Sequence, residues 1–212
     1  MEKITAPRIV FKLSQPYFEI FKQAWLIEHP TEKHPSYAET FSWMKGIEGF
    51  WESKKNGTLE ALAVIAELEW KHSEIPCYII GRHRASWSDP LTISLTAYTE
   101  MGPEYFFRVL MHELIHNLLA DNKRLCGINW ILRYLDQKYD RKESYLAKIH
   151  VLVHAIHAML HCDYLRGNME EVNMAEHPDY LKSWEIIERE GGYKKVVTDF
   201  ISHISERSGN YH

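Results

Sequence analysis

The sequence predicts an α+β fold that is mostly helical, with a small β-sheet in the middle of the chain. Apolar residues recur at helical spacing towards both ends. Two short segments between them, 75–83 and 91–98, are rich in β-branched residues or alternate in polarity. With 212 residues, of which 45% are hydrophobic, the chain can bury the core of one domain. We expect that single domain over 1–212, organised as N-terminal helices (1–74), strands and a central helix (75–121), and C-terminal helices (122–212).

Residues that start and stop helices predict where each helix lies. Ser36, Thr58 and Asp140 are suitable N-caps, Pro16 and Pro103 suit a first helical turn, and Gly191 suits a helix end. The predicted helices cover 16–29, 36–54, 58–72, 103–120, 128–139, 141–167, 177–190 and 193–207. The segments 75–83 and 91–98 are the predicted strands, separated by a loop at 86–90.

Charge and cysteine content exclude several classes of protein. The net charge of −4 argues against a nucleic-acid or membrane-surface partner, and no apolar run approaches the roughly 18 residues that span a bilayer. The first 15 residues lack the apolar segment of a signal peptide. The chain has three cysteines, Cys77, Cys126 and Cys162, and no CxxC pair. An odd number of widely spaced cysteines is typical of reduced thiols. The sequence therefore predicts a cytoplasmic protein without a membrane or nucleic-acid partner.

The segment 110-LMHELIHNLLAD-121 carries the clearest chemical pattern. His112 and His116 are one helical turn apart, so both imidazoles project from one face and can share a metal ion. Glu113 lies about 100° further around the helix and can reach a water on that ion. Zinc lowers the pKa of such a water to about 7, and a carboxylate can accept its proton. The pattern predicts two zinc ligands and a catalytic general base.

The sequence HELIH resembles the HExxH motif of the zincin superfamily of metallopeptidases. The resemblance covers His112, Glu113 and His116 on a zincin-like active-site helix. It implies one Zn²⁺ per chain, and a peptide or protein substrate that adds as a strand to a sheet edge. The segment 91–98 precedes the helix, so it is the edge that the resemblance implies. The metzincin variant is excluded, because Leu119 and Asn122 stand where that pattern needs Gly and His.

A third metal ligand is predicted from a later helix. Its stripe carries one carboxylate and four imidazoles within about 60° of one another: Glu143, His150, His154, His157 and His161. Because the stripe spans about 27 Å, only one level of it can meet the zinc. His150 or His154, near mid-helix, is the expected ligand, whereas Glu143 matches the glutamate of thermolysin-like enzymes. Asp121 is expected to lie past the end of the HELIH helix.

Other residues near the predicted site have weaker interpretations. His157 is a candidate stabiliser of the transition-state oxyanion, with a role in orienting a ligand as the alternative. Residues 82–84, Arg-His-Arg, are interpreted as a solvated turn; contact with an acidic group of a substrate is the alternative. Trp87 and Ser88 are candidates for one wall of the substrate cleft.

The predicted function is zinc-dependent peptide hydrolysis, with His112, His116 and His150 or His154 as ligands and Glu113 as general base. Two alternatives stay open. Glu69 and His72 form a second ExxH, and paired ExxH motifs on helices are typical of di-iron carboxylate proteins. A metal-stabilised domain without catalysis is the other alternative, although a purely structural site does not need the carboxylate of Glu113.

Overall fold

The structure, a computed structural model, describes residues 6–122, 124–125, 128–172 and 177–208. The described part is mostly helical with a small mixed sheet, which confirms the predicted α+β class. The helices are α1 (Gln15–Glu28), α2 (Tyr37–Lys54), α3 (Thr58–Ala66), α4 (Thr96–Thr99), α5 (Pro103–Asn122), α6 (Trp130–Lys138), α7 (Tyr145–Ala158), α8 (Met169–Val172), α9 (Pro178–Arg189) and α10 (Tyr193–Ser208). A π-helical segment, Met159–Tyr164, continues α7. The strands are β1 (Arg8–Lys12), β2 (Glu74–Ile80), β3 (Trp87–Ser88), β4 (Leu91–Ser94), β5 (Arg124–Leu125) and β6 (Ile128–Asn129).

The chain divides into two compact units. One comprises the described part of Thr5–Leu59, which begins at residue 6, and His72–Asn117, and it contains the four-stranded sheet. The other comprises Glu60–Lys71 and the described part of Leu118–His212, and it contains α6 to α10. In this second unit, the indole of Trp130 stacks on the ring of Phe200 with their centroids 5.5 Å apart. The single-domain organisation over 1–212 stays a prediction.

The sheet has the order β1-β2-β4-β3. β1, β2 and β4 run parallel, and β3 returns antiparallel to β4 through the pairs Trp87↔Thr92 and Ser88↔Leu91. β4 is buried along its whole length, as expected for an interior strand covered on both faces. The strand that the sequence predicts over 91–98 ends at Ser94 in the structure, because α4 begins at Thr96. β1 was not predicted, although its alternating burial is that of a regular strand.

Local capping chemistry sets the ends of the N-terminal helices. Ser36 caps α2 as predicted: its Oγ accepts from the Glu39 backbone N–H, and the Glu39 carboxylate accepts from the Ser36 backbone N–H over 2.8 Å. The prediction that α3 reaches residue 72 is wrong. Glu67 adopts a positive φ of 50°, and the N–H of Leu68 bonds back to the carbonyl of Ala63, which closes the helix.

The helix that carries the histidine stripe begins later than predicted. Ser144, not Asp140, is the N-cap, because its side chain accepts from the backbone N–H of Ala147 over 2.9 Å. The Asp140 carboxylate instead accepts from the N–H of Lys142 in the preceding turn. Glu143 consequently lies before α7 and is not part of its stripe. At the other end, the stripe is interrupted at Met159, where the π-helical segment begins.

Further predictions concern the end of α5, membrane-spanning helices and the cysteines. α5 extends through Asn122, so the prediction that Asp121 lies past the end of the helix is wrong. None of the helices in the described ranges is long and apolar enough to cross a membrane. Cys77 and Cys162 form no disulfide, and Cys126 lies outside the described residues.

Candidate metal centre

Helix α5 presents the two histidines of HELIH at its surface while its apolar side chains are buried. Leu114 and Ile115 lie within the motif and Leu110 and Met111 directly precede it, and each is at most 1% exposed. His112 and His116 are half-buried, and their ring centroids are 5.0 Å apart. The apolar side chains therefore anchor the helix, and the spacing of four residues brings both imidazoles to one face.

Glu113 is half-buried and follows the first of these histidines. Burial raises the pKa of its carboxyl to about 7, and desolvation is the cause of that increase. A carboxyl whose pKa is close to neutral can both accept and return a proton at physiological pH. This is the property that the predicted general base requires.

His150 completes a group of three possible ligands. One ring nitrogen from each of His112, His116 and His150 can be chosen such that all three lie within 4.8 Å of one another. Ligand nitrogens around a tetrahedral zinc ion are about 3.4 Å apart, a spacing that this limit includes. Three imidazoles and one open position form a common ligand set of catalytic zinc.

The surroundings of His150 suit a metal ligand. It is 2% exposed, and burial lowers the pKa of its imidazole to about 4, so the ring is neutral at pH 7. Its Nδ1 lies 2.8 Å from the carbonyl oxygen of Leu146. Because a carbonyl only accepts, Nδ1 carries the proton and Nε2 carries the lone pair. Histidines that bind metal commonly donate their other ring N–H in this way.

His154, the other candidate for the third ligand, belongs to a different buried network. Its Nδ1 lies 2.7 Å from the Oγ of Ser183, whose hydroxyl donates to the carbonyl of Tyr180 over 2.6 Å. The Ser183 oxygen therefore accepts from His154, which fixes the proton on Nδ1. The ring also stacks on Trp184, with centroids 5.0 Å apart and an interplanar angle of 9°. These contacts hold His154 against α9, and the group of three ligand nitrogens does not include it.

The other members of the predicted stripe are also outside that group. His157 is buried at the end of α7. His161 lies in the π-helical segment, and its ring fills the space where Gly167 would carry a Cβ, with Nε2 only 2.1 Å from that position. Glu143 Oε1 lies 3.6 Å from Nζ of Lys182. The predicted roles of these residues beside a metal stay predictions.

The second ExxH does not have the geometry that the di-iron alternative needs. α3 ends at Ala66, so Glu69 and His72 follow the helix and do not lie on it. The Glu69 carboxylate pairs with Lys71 Nζ at 2.6 Å. Di-iron bundles project each ExxH from one helical face, and the segment 69–72 lacks that face.

Asn117, which the sequence interpretation missed, ties α5 to the edge of the sheet. Its Nδ2 donates to the carbonyl of Ser88 over 2.9 Å and to the carbonyl of Glu113 over 3.1 Å. The available signal was a polar amide within an apolar helix, directly after His116, because such a group needs partners. The same contact identifies β3 as the strand beside the motif. The expectation that 91–98 forms the substrate-binding edge is wrong, since β3 pairs with the outer side of β4.

Comparison with known proteins adds no relative, because no family model, no curated protein and no solved structure matches this chain.

Proposed function

We propose that the protein is a zinc-dependent metallopeptidase with one Zn²⁺ per chain, held by His112, His116 and His150. The observation that carries the proposal is the approach of three imidazole nitrogens to within 4.8 Å of one another, with a glutamate directly after the first histidine. The resemblance of HELIH to the zincin motif supports the choice of peptide hydrolysis among metal-assisted reactions. A peptide or protein is accordingly the proposed substrate, and the predicted cytoplasmic location belongs to the same proposal.

The three imidazoles fit zinc chemically. A neutral histidine is the form that binds a metal, and the buried ring of His150 is held in that form at neutral pH. Its Nδ1–H bond to Leu146 fixes the orientation of the ring and directs the lone pair to Nε2. When bound, zinc supplies a Lewis acid that polarises a carbonyl and lowers the pKa of water.

Glu113 is the proposed general base. Its carboxylate accepts a proton from the attacking water and returns it to the leaving amine. The raised pKa of about 7 suits both transfers, since the group gains and loses a proton with little free-energy cost near neutral pH. His157 is the proposed stabiliser of the oxyanion that develops on the substrate.

Metal content followed by hydrolysis tests the proposal. We expect protein purified without added metal to contain about one zinc per chain and to cleave members of a peptide library. Glu113→Gln is expected to keep the zinc and to lose turnover, because the amide cannot accept the proton. Glu188→Gln, an exposed change on α9, is the matched control and should keep both.

Three outcomes would overturn the proposal in different ways. Two irons per chain would favour the di-iron alternative. Zinc without any peptide hydrolysis in the wild type would favour a metal-stabilised, non-catalytic domain. Normal hydrolysis by Glu113→Gln would remove the carboxylate from the mechanism.

A further inference from the structure

We infer that the surface beside β3 binds an acidic residue of the peptide substrate, and that Arg84 is the residue that selects it. This inference rests on the proposed peptidase function and specifies its substrate class. The surface consists of Arg84, His29 and Trp25 on one side and of Trp87, His83 and Phe21 on the other. All six residues belong to the unit that carries HELIH.

Arg84 is a cation without a carboxylate partner among the described residues. It is exposed, and its Nη2 lies 3.2 Å from Nε2 of His29. Arg82, only two residues away, has two carboxylate partners. Its Nη1 lies 3.4 Å from Oε2 of Glu32, and its Nη2 lies 3.4 Å from Oε1 of Glu100. The basic segment 82–84 therefore contains one neutralised arginine and one whose charge is available to a ligand.

The guanidinium of Arg84 is oriented before any ligand arrives. The Nδ1–H of His29 donates to the carbonyl of Trp25 over 3.1 Å, so its Nε2 accepts from Arg84. The imidazole also stacks on the indole of Trp25, with centroids 3.9 Å apart and an interplanar angle of 15°. An arginine held in this way loses less conformational entropy when it binds a ligand.

The neighbouring aromatic rings offer an apolar surface to the rest of the same substrate residue. The ring centroid of Trp87 lies 4.7 Å from that of His83 and 5.1 Å from that of Phe21. All three residues are half-buried. Rings of this kind can pack against the methylene groups of an extended side chain while its charged end reaches Arg84.

The position of the surface connects it to the reacting region. Trp87 is part of β3, and the next residue, Ser88, accepts the hydrogen bond from Asn117, which follows His116. Arg84 precedes Ser88 by four residues, so their Cα atoms are at most about 14 Å apart. An extended peptide of four or five residues that lies along β3 can therefore reach Arg84.

Charge complementarity selects a carboxylate as the group that binds there. Arginine forms paired N–H···O bonds with a carboxylate, which its planar fork matches. That carboxylate has two sources, an Asp or Glu side chain or the C-terminus of a short peptide. The Asp or Glu side chain is the favoured source, because the aromatic rings beside Arg84 suit its methylene groups. The binding experiment distinguishes a side-chain carboxylate from a C-terminal one.

Binding is measured with the zinc-loaded Glu113→Gln variant, so that peptides are not consumed. The probes are fluorescent peptides with amidated C-termini in which one position carries Glu or Gln, together with a neutral peptide that has a free C-terminus. We expect the Glu peptide to bind about twofold to fivefold more tightly than the Gln peptide at low salt. The preference should shrink as salt is raised, because the ion pair is exposed.

Further variants assign that preference to Arg84. Adding Arg84→Gln should abolish the difference between the Glu and Gln peptides, whereas Arg84→Lys should keep part of it. The matched control is Arg141→Gln, an exposed arginine of the other unit, which should leave the difference unchanged.

The inference is overturned if Arg84→Gln keeps the full preference, if neither amidated peptide binds, or if only the peptide with the free C-terminus gains affinity. These outcomes are distinct from failure of the proposed function, which is measured by zinc content and by wild-type hydrolysis of neutral peptides. If those two are normal and the Glu preference is missing, only the selection by Arg84 is wrong. If hydrolysis is missing, the binding comparison still decides whether the surface selects a carboxylate.

Discussion

The Nδ1–H of His150 donates a hydrogen bond to the carbonyl of Leu146, one turn earlier in α7, over 2.8 Å. His154, one turn later, donates instead to Ser183 on α9. Each bond places the proton on Nδ1, but only a nitrogen of His150 lies within 4.8 Å of those of His112 and His116. This difference separates two residues whose positions in the stripe are equivalent.

His150→Ala is expected to lower zinc affinity by more than about 100-fold, because it removes a ligand, and loss of an outer hydrogen bond alone costs 10- to 100-fold. His154→Ala is the matched control, since it deletes a buried imidazole from the same helix face, and it should lower the affinity by less than about tenfold. Competition with a chromogenic zinc chelator measures both, and circular dichroism checks that each variant is folded. The reverse ranking would make His154 the ligand.

Glu113→Gln is expected to stabilise the metal-free protein in a pH-dependent manner. Burial raises the carboxyl pKa from 4.5 to about 7 in the folded state. Below pH 4.5 the carboxyl is protonated in both the folded and the unfolded state, so no ionised carboxylate has to be buried on folding. Between pH 4.5 and 7 the unfolded state loses its proton first, so the folded state becomes progressively less favourable. Since one pKa unit corresponds to about 1.4 kcal/mol, the full cost above pH 7 is about 3 kcal/mol.

Glutamine bears no such cost, so the variant should exceed the wild type in unfolding free energy at pH 8, and its advantage should disappear near pH 4.5. Urea unfolding of chelator-treated protein at the two pH values measures the difference. The exposed Glu188→Gln change is the control, for which the same advantage at pH 8 is not expected. An advantage of equal size at both pH values would show that ionisation of Glu113 is not its cause.

Asn117→Ala is expected to weaken peptide binding without releasing zinc. The change removes the bond from Nδ2 to Ser88, so β3 loses its attachment to α5. A neutral hydrogen bond contributes about 1 kcal/mol, which predicts a KM for peptide about fivefold higher. Steady-state kinetics measure KM and kcat, and zinc content is measured on the same samples.

Asn122→Ala offers a closely matched control for Asn117→Ala. Asn122 lies on the same helix, and its Nδ2 also donates to the carbonyl four residues earlier and to a carbonyl of a preceding segment, those of Leu118 and Glu69. Both variants should lose a similar free energy of unfolding, but only Asn117→Ala should raise KM. Equal changes in KM would mean that general destabilisation, and not the position of β3, is responsible.

Features that depend on neighbours in the sequence were predicted well. The capping box of Ser36 and Glu39 is an interaction over three residues, and it is present as expected. The alignment of His112 with His116 follows from helical periodicity, which a Pro start and buried apolar residues make secure. The ends of α3 and α7 were less accurate because several residues compete to cap a helix. α3 ends at the positive φ of Glu67, although apolar residues continue beyond it. α7 is capped by the side chain of Ser144 and not by Asp140.

The sequence by itself determined that one helix presents two imidazoles and a glutamate on adjacent turns, because helical periodicity is a local property of the chain. Only the tertiary structure decided which later histidine approaches them, since His150 and His154 are equivalent along their own helix and differ in the partners that surround them. It also decided that β3, and not β4, is an edge strand of the sheet, at the end opposite to β1. Strand order depends on pairing between distant segments, and the sequence of a single strand does not specify its neighbour.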